Sequence, residues 1–193
     1  MLRAVCISFI LALLMNPAGC VKIETGQTVE EAQQSSEQRA GRLRATWANK
    51  LSGATPTELA IYLTDHFDQT TDMFFRYGER MTQQWEAGSE GRGTEIKAAE
   101  MRQVIDAWIA GEKPLLKAYE DNLEYGFARI KETGHYDEAM LQQLGALVEK
   151  YYEIYSAVFY PVGNIEDYAH KLEQTKYAAK RMSEETRSML SGF

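Results

Sequence analysis

After residue 27 the apolar and small residues of this chain fall at steps of three and four. Val29, Ala32, Ser36, Ala40, Leu43, Trp47 and Leu51 form the first series, a narrow stripe on one helix. Thr28-Val29-Glu30-Glu31 opens it, with a hydroxyl at the cap and a carboxylate three residues on. Gly41 weakens this helix by about 1 kcal/mol relative to alanine, and Ser52-Gly53 ends it. The second start, Thr55-Pro56-Thr57-Glu58, joins a capping hydroxyl, a proline at the first helical position and a glutamate at the third. Leu59, Tyr62, Leu63, Phe67, Met73, Phe74, Tyr77, Met81 and Trp85 then predict one helix of about thirty residues, roughly 45 Å long. Three glycines between Ala87 and Gly93 predict a mobile loop after it.

Thr94 caps a third series, Ile96, Met101, Ile105 and Trp108. Gly111-Glu112-Lys113-Pro114 interrupts it, and a break is favoured there over a kink, because glycine is a natural terminator three residues before the proline. Leu116, Tyr119, Leu123, Phe127 and Ile130 mark a fourth helix ending at Gly134. The fifth starts near Tyr136 and runs through Leu144, Leu147, Tyr151 and Val158. Its end, Tyr151 to Tyr160, is rich in strand formers, but no second strand exists to pair with it, and an isolated strand is not stable. Pro161-Val162-Gly163 breaks the helix. Asn164-Ile165-Glu166-Asp167 opens the last one, with Tyr168, Leu172, Ala179, Met182 and Met189 inward. The fold expected is all-α: an antiparallel bundle of five to six helices in a single domain over residues 28–193. No repeat of fixed period is present, which argues against a solenoid.

The N-terminus breaks this pattern. One basic residue, Arg3, precedes an apolar run from Ala4 to Met15 and then Asn16-Pro17-Ala18-Gly19-Cys20. These are the parts of a secretory signal over residues 1–19. The run is too short for a membrane-spanning helix, which takes about 20 apolar residues. Ala18-Gly19-Cys20 resembles the lipobox of bacterial lipoproteins, although Pro17 stands where that class carries an aliphatic residue. The resemblance implies cleavage before Cys20, lipidation of Cys20, and a lipidated N-terminus with a short tether over residues 20–27. It also implies a cell-envelope address, facing the periplasm. In enteric members of the class an aspartate after the cysteine retains the protein at the inner membrane, so Val21 favours the outer membrane. The other reading is an ordinary secretory signal and a free thiol. Cysteine usage fits lipidation: Cys6 is discarded with the signal, which leaves Cys20 alone and removes any internal disulfide. Seven residues, Val21 to Gln27, hold the domain within roughly 25 Å of the bilayer.

Composition narrows the function classes. The 193 residues are 45% apolar, too apolar for intrinsic disorder, and loss of the nineteen-residue signal leaves 174, enough for one well-buried domain. The net charge is -7, and -8 once Arg3 is removed, so no nucleic-acid partner is expected. There is no Gly-x-Ser-x-Gly elbow, phosphate-binding glycine loop or Cys-x-x-Cys-His. No catalytic residue and no cofactor is assigned, and an enzyme is not expected. The three histidines are His66, His135 and His170. His66, Asp167 and His170 are the candidate metal ligands, set against solvated histidines beside acids, and no metal site is assigned. Adjacent acids such as Glu120-Asp121 point about 100° apart on a helix and do not pair for acid-base work. Arg39, Arg42 and Arg44 either reach anionic headgroups or are ordinary exposed charges.

Tyr151, Tyr152, Tyr155, Phe159 and Tyr160 cluster within ten residues. Tyrosine joins an apolar ring to a polar tip and is a common anchor at interfaces, and the alternative is that these rings fill the bundle core. The expected function is a lipid-anchored envelope bundle that binds another envelope protein, either as an accessory module or as an inhibitor or immunity protein. A periplasmic bundle binding a small ligand or metal is the alternative.

Overall fold

The structure, a computed structural model, describes residues 28–92 and 98–192. The signal-like segment, Cys20, the tether and Thr94 lie outside them. Five helices are present: α1 (Val29–Leu51), α2 (Pro56–Arg92), α3 (Ala98–Thr133), α4 (Glu138–Phe159) and α5 (Ile165–Leu190). The starts of α1, α2 and α5 are where the sequence places them, and α4 begins at Glu138, two residues past the expected Tyr136. Thr28 and Glu31 close a reciprocal capping box, as do Asn164 and Asp167. The Thr55 amide donates to Glu58 Oε2 at 2.8 Å, and the Glu58 amide to Thr55 Oγ1 at 3.3 Å. Asp137 caps α4 by accepting from the Met140 amide. Gly134 follows α3 at φ +61°, a conformation that only glycine adopts cheaply.

Consecutive helices run antiparallel. Tyr77 meets Trp108, and His66 meets Tyr119, across α2 and α3. Tyr152 reaches Glu120 and Glu124 across α3 and α4. Gln143 donates to Thr186 and Tyr168 to the Val158 carbonyl across α4 and α5. Lys176 pairs with Glu79, and Arg187 with Asp65 and Asp68, which closes α5 onto α2. The four helices α2 to α5 thus close a ring around one core, with α2 also packing directly on α4 across it. Phe74 sits in it with Tyr151, Tyr155 and Phe159 at ring separations of 5.4, 5.7 and 5.3 Å, and Trp108 stacks on Phe159. The all-α bundle in one unit is as expected, with five helices among the described residues.

The fifth helix, α1, lies outside the ring and runs parallel to α3. Gln33 meets Ala110, Arg44 meets Asp121, and Trp47 meets Gly126, in rising order on both helices. The buried stripe of α1 is Ala32, Ser36, Ala40, Trp47 and Leu51, small residues first and large ones last. A methyl at Gly126 would stand 2.9 Å from Trp47 Cζ2, so the glycine is what admits the indole.

Pro114 corrects the expected break. It lies inside α3, which continues without interruption. Proline has no N–H for the carbonyl four residues back and collides with it, at a cost of about 3 kcal/mol in a helix interior. That carbonyl belongs to Ala110, and Gln33 Nε2 donates to it at 2.9 Å. One residue on, the Leu115 amide donates to Ser36 Oγ at 3.0 Å. Ser36 is fully buried. Arg39 adds a two-pronged pair to Glu112, at 2.7 and 2.6 Å. α1 therefore supplies hydrogen bonds at the step where the proline disturbs α3.

Two further expectations change. The glycine-bearing stretch from Ala87 is not a loop at its start, because α2 continues to Arg92 with Gly88 buried. Met189, expected inward, is 37% exposed, and α5 instead buries Thr186 and Leu190. The steps 168, 172, 175, 179, 183, 186 and 190 keep one stripe, and 189 lies off it.

Replacing Gln33 by leucine should destabilise the fold by about 1–2 kcal/mol, because the Ala110 carbonyl loses its donor. In a Pro114→Ala background residue 114 regains its own N–H, and the same replacement should cost much less. Urea unfolding of the four variants measures the coupling. An equal cost in both backgrounds would show that Gln33 does not answer the proline.

Candidate functional site

The tyrosine cluster has three fates. Tyr151 and Phe159 are core residues, 3% and 0% exposed, so neither is available to a partner as the sequence reading had them. Their position is set by the stripe Met140, Leu144, Leu147, Tyr151, Ile154 and Val158, which faces α2 and α5. Tyr152 is 41% exposed and Tyr155 half-buried, on the side of α4 that faces α3. Tyr160 lies just past α4, 44% exposed, with the Arg102 guanidinium 3.8 Å from its ring centre.

Tyr152 and Tyr155 stand in a seam. Around the ring, α3 and α4 are the least closely packed neighbours. α3 turns Arg102, Asp106, Glu120, Glu124 and Phe127 toward this seam, at helical spacing. The Tyr152 hydroxyl lies 3.0 Å from Glu120 Oε1 and 2.5 Å from Glu124 Oε1. Partial burial and these two carboxylates hold the phenol proton on, raising its pKa. One proton cannot satisfy two carboxylates, so acceptor capacity remains on the surface there. Glu120 is also matched by Lys117 at 3.2 Å.

Beyond Tyr152 the seam opens into a groove of about 480 Å³. Phe127, Leu141, Gly145 and Ala146 give it an apolar, half-buried lining, and the exposed Glu138, Gln142 and Glu149 edge it. Gly145 makes the room: a methyl there would stand 3.1 Å from the Phe127 ring. Glu124, Glu138 and Glu149 have no ion-pair partner among the described residues. Sequence reasoning placed Phe127 only on the apolar face of its helix and missed Gly145, Glu124, Glu138 and Glu149 as parts of a site. Only the glycine in mid-helix could have hinted at a close approach.

The candidate metal ligands do not converge. His66 is a core residue, 3% exposed, between the rings of Trp47 at 4.5 Å and Tyr119 at 5.5 Å. Its Nε2 lies 3.1 Å from the Tyr119 carbonyl, which makes Nε2–H the donor. Asp167 is spent on the cap of α5, and His170 is exposed beside Gln174. Helix register puts His66 and His170 roughly 25 Å apart along the bundle. No group of three or more potential metal ligands occurs among the described residues. Arg39 and Arg44 are bound to Glu112 and Asp121 of α3. Among the described residues no helix is long and apolar enough to cross a membrane.

The layer around His66 also carries a cost. Trp47 Nε1 and Asn122 Nδ2 are buried without a protein acceptor among the described residues, a penalty of about 1–3 kcal/mol each if water does not reach them. No family model, curated protein or solved structure matches the chain.

Burial pushes the His66 pKa down to about 4, with Lys50 adding to the effect and the Tyr119 carbonyl opposing it. Between pH 6.5 and 4 the unfolded chain therefore holds a proton on this ring that the folded protein refuses. Stability falls as pH drops through that window, by about 3 kcal/mol in total, and His66 contributes no slope above it. Urea unfolding across this range should be less acid-sensitive in His66→Gln than in the parent. Parallel curves would show that the ring is not held neutral.

Proposed function

We propose that this protein is a lipid-anchored module of the cell envelope that binds another protein through the seam between α3 and α4. The observation that carries the reading is the groove lined by Phe127, Leu141, Gly145 and Ala146, which continues into Tyr152 and Tyr155. Aromatic rings with polar tips over an apolar floor are the usual anchors of a protein interface. Glu124, Glu138 and Glu149, which lack a cationic partner among the described residues, within a chain of net charge -7, favour a partner that is basic where it meets the seam. The anchor itself rests on Ala18-Gly19-Cys20 behind a signal-like run. An envelope accessory subunit or an inhibitor of an exported protein both fit this surface.

Crosslinking in cells that produce the tagged protein, followed by membrane solubilisation, tests the reading. A stoichiometric partner should be recovered with the parent and be weakened by Cys20→Ala. Glu138→Lys with Glu149→Lys changes only exposed positions and should lower recovery at least tenfold, about 1.4 kcal/mol. Absence of any stoichiometric partner would count against a binding module. A partner indifferent to the charge reversal would count against the seam.

A further inference from the structure

One end of the bundle is placed beside the membrane by the lengths of its own helices. The head of α1, at Val29, is where the tether joins the domain. Gln33 of α1 lies level with Ala110 of α3, and α3 begins twelve residues earlier, at Ala98. At 1.5 Å per residue the ring therefore extends roughly 12 Å past the head of α1, toward the side from which the tether comes. The seven residues between Cys20 and Thr28 span at most roughly 25 Å. About half of that reach is used in drawing level with the end of the ring. With the bundle axis along the membrane normal and this end toward the bilayer, the end stands within roughly 10–15 Å of it.

That same end carries Tyr160 and Val162, beside the last turns of α2, which runs on to Arg92. Val162 is 63% exposed, at the tip of the turn between α4 and α5. Arg102, in the first turns of α3, lies against the Tyr160 ring and fixes the level of this tip. The turn is braced: Pro161 is buried, Gly163 takes φ +79°, and the Tyr168 hydroxyl donates to the Val158 carbonyl at 2.7 Å. An exposed tyrosine beside a basic residue and an aliphatic tip suits the boundary between headgroups and acyl chains. Tethering makes contact intramolecular, so an attachment too weak to recruit the free domain suffices once the lipid is in place.

We infer that the Tyr160–Val162 tip rests on the lipid surface, so that the bundle stands upright and the α3–α4 seam runs along a side left free for a partner. This rests on the lipid-anchor reading. Once Cys6 is removed and Cys20 is acylated, Val162→Cys is the only free thiol, and Ser52→Cys places one at the opposite end. Each full-length lipidated variant is labelled with an environment-sensitive fluorophore and reconstituted on vesicles of phosphatidylethanolamine and phosphatidylglycerol. The label at 162 should shift to the blue and lose its quenching by iodide, and the label at 52 should do neither. The shift should survive high salt, because Arg102 is already paired with Asp106 at 2.7 Å and the contact is apolar. Protein that floats with the vesicles while position 162 stays as quenchable as position 52 overturns this inference and leaves the anchor standing. Protein that carries no lipid and does not float overturns the anchor and this inference together.

Discussion

A proline in mid-helix leaves a carbonyl without a donor, and in α3 the missing hydrogen bond is made by a different helix. Gln33 and Ser36, one turn apart on α1, meet Ala110 and Leu115 on either side of Pro114. Those contacts let α3 run on from Ala98–Thr133 as one element, and they fix where α1 lies along it. The rest of the arrangement follows. Once α1 is in register at the proline, Trp47 falls at Gly126 and His66, and Leu51 reaches the far end of the core. The head of α1 falls short of the ring's end by the same register.

α1 is thus held in two ways. Its first half offers little apolar area, Ala32 and Ala40 against α3, and relies on hydrogen bonds and the Arg39–Glu112 pair. Its second half is held by the indole of Trp47 and by Leu51. A strongly apolar stripe would have made the first half indifferent to sequence on α3. Small residues and two polar side chains instead read one particular place, the proline. The two flanks of α3 are used differently: one is covered by α1, and the other faces α4 across a seam that the chain leaves open.

Much of the fold was legible because its signals are local. Thr28, Thr55-Pro56 and Asn164 announce their helices within four residues, and Gly134 and Pro161 end theirs as read. Pro114 was misread because the groups that complete α3 lie 77 and 79 residues away in sequence, where no window reaches. Gly88 misled for a related reason: a residue that costs stability in an isolated helix is tolerated where it is buried. The tyrosine cluster was found but not sorted. Spacing puts Tyr151 on the stripe of Leu144 and Leu147 and moves Tyr152 off it by one step, so the difference between core and seam was present in the periodicity. The openness of the seam was not, since it depends on how far two helices stand apart.

α1 completes α3 at the proline, and amide hydrogen exchange at Leu115 tests this most directly. If Ser36 is the partner of that amide, Leu115 should exchange with the same opening free energy as the amides of α1, through release of that helix. It should be less protected than Leu123, which lies deeper along α3. A Leu115 amide that stays protected under conditions where α1 has already opened would contradict the claim.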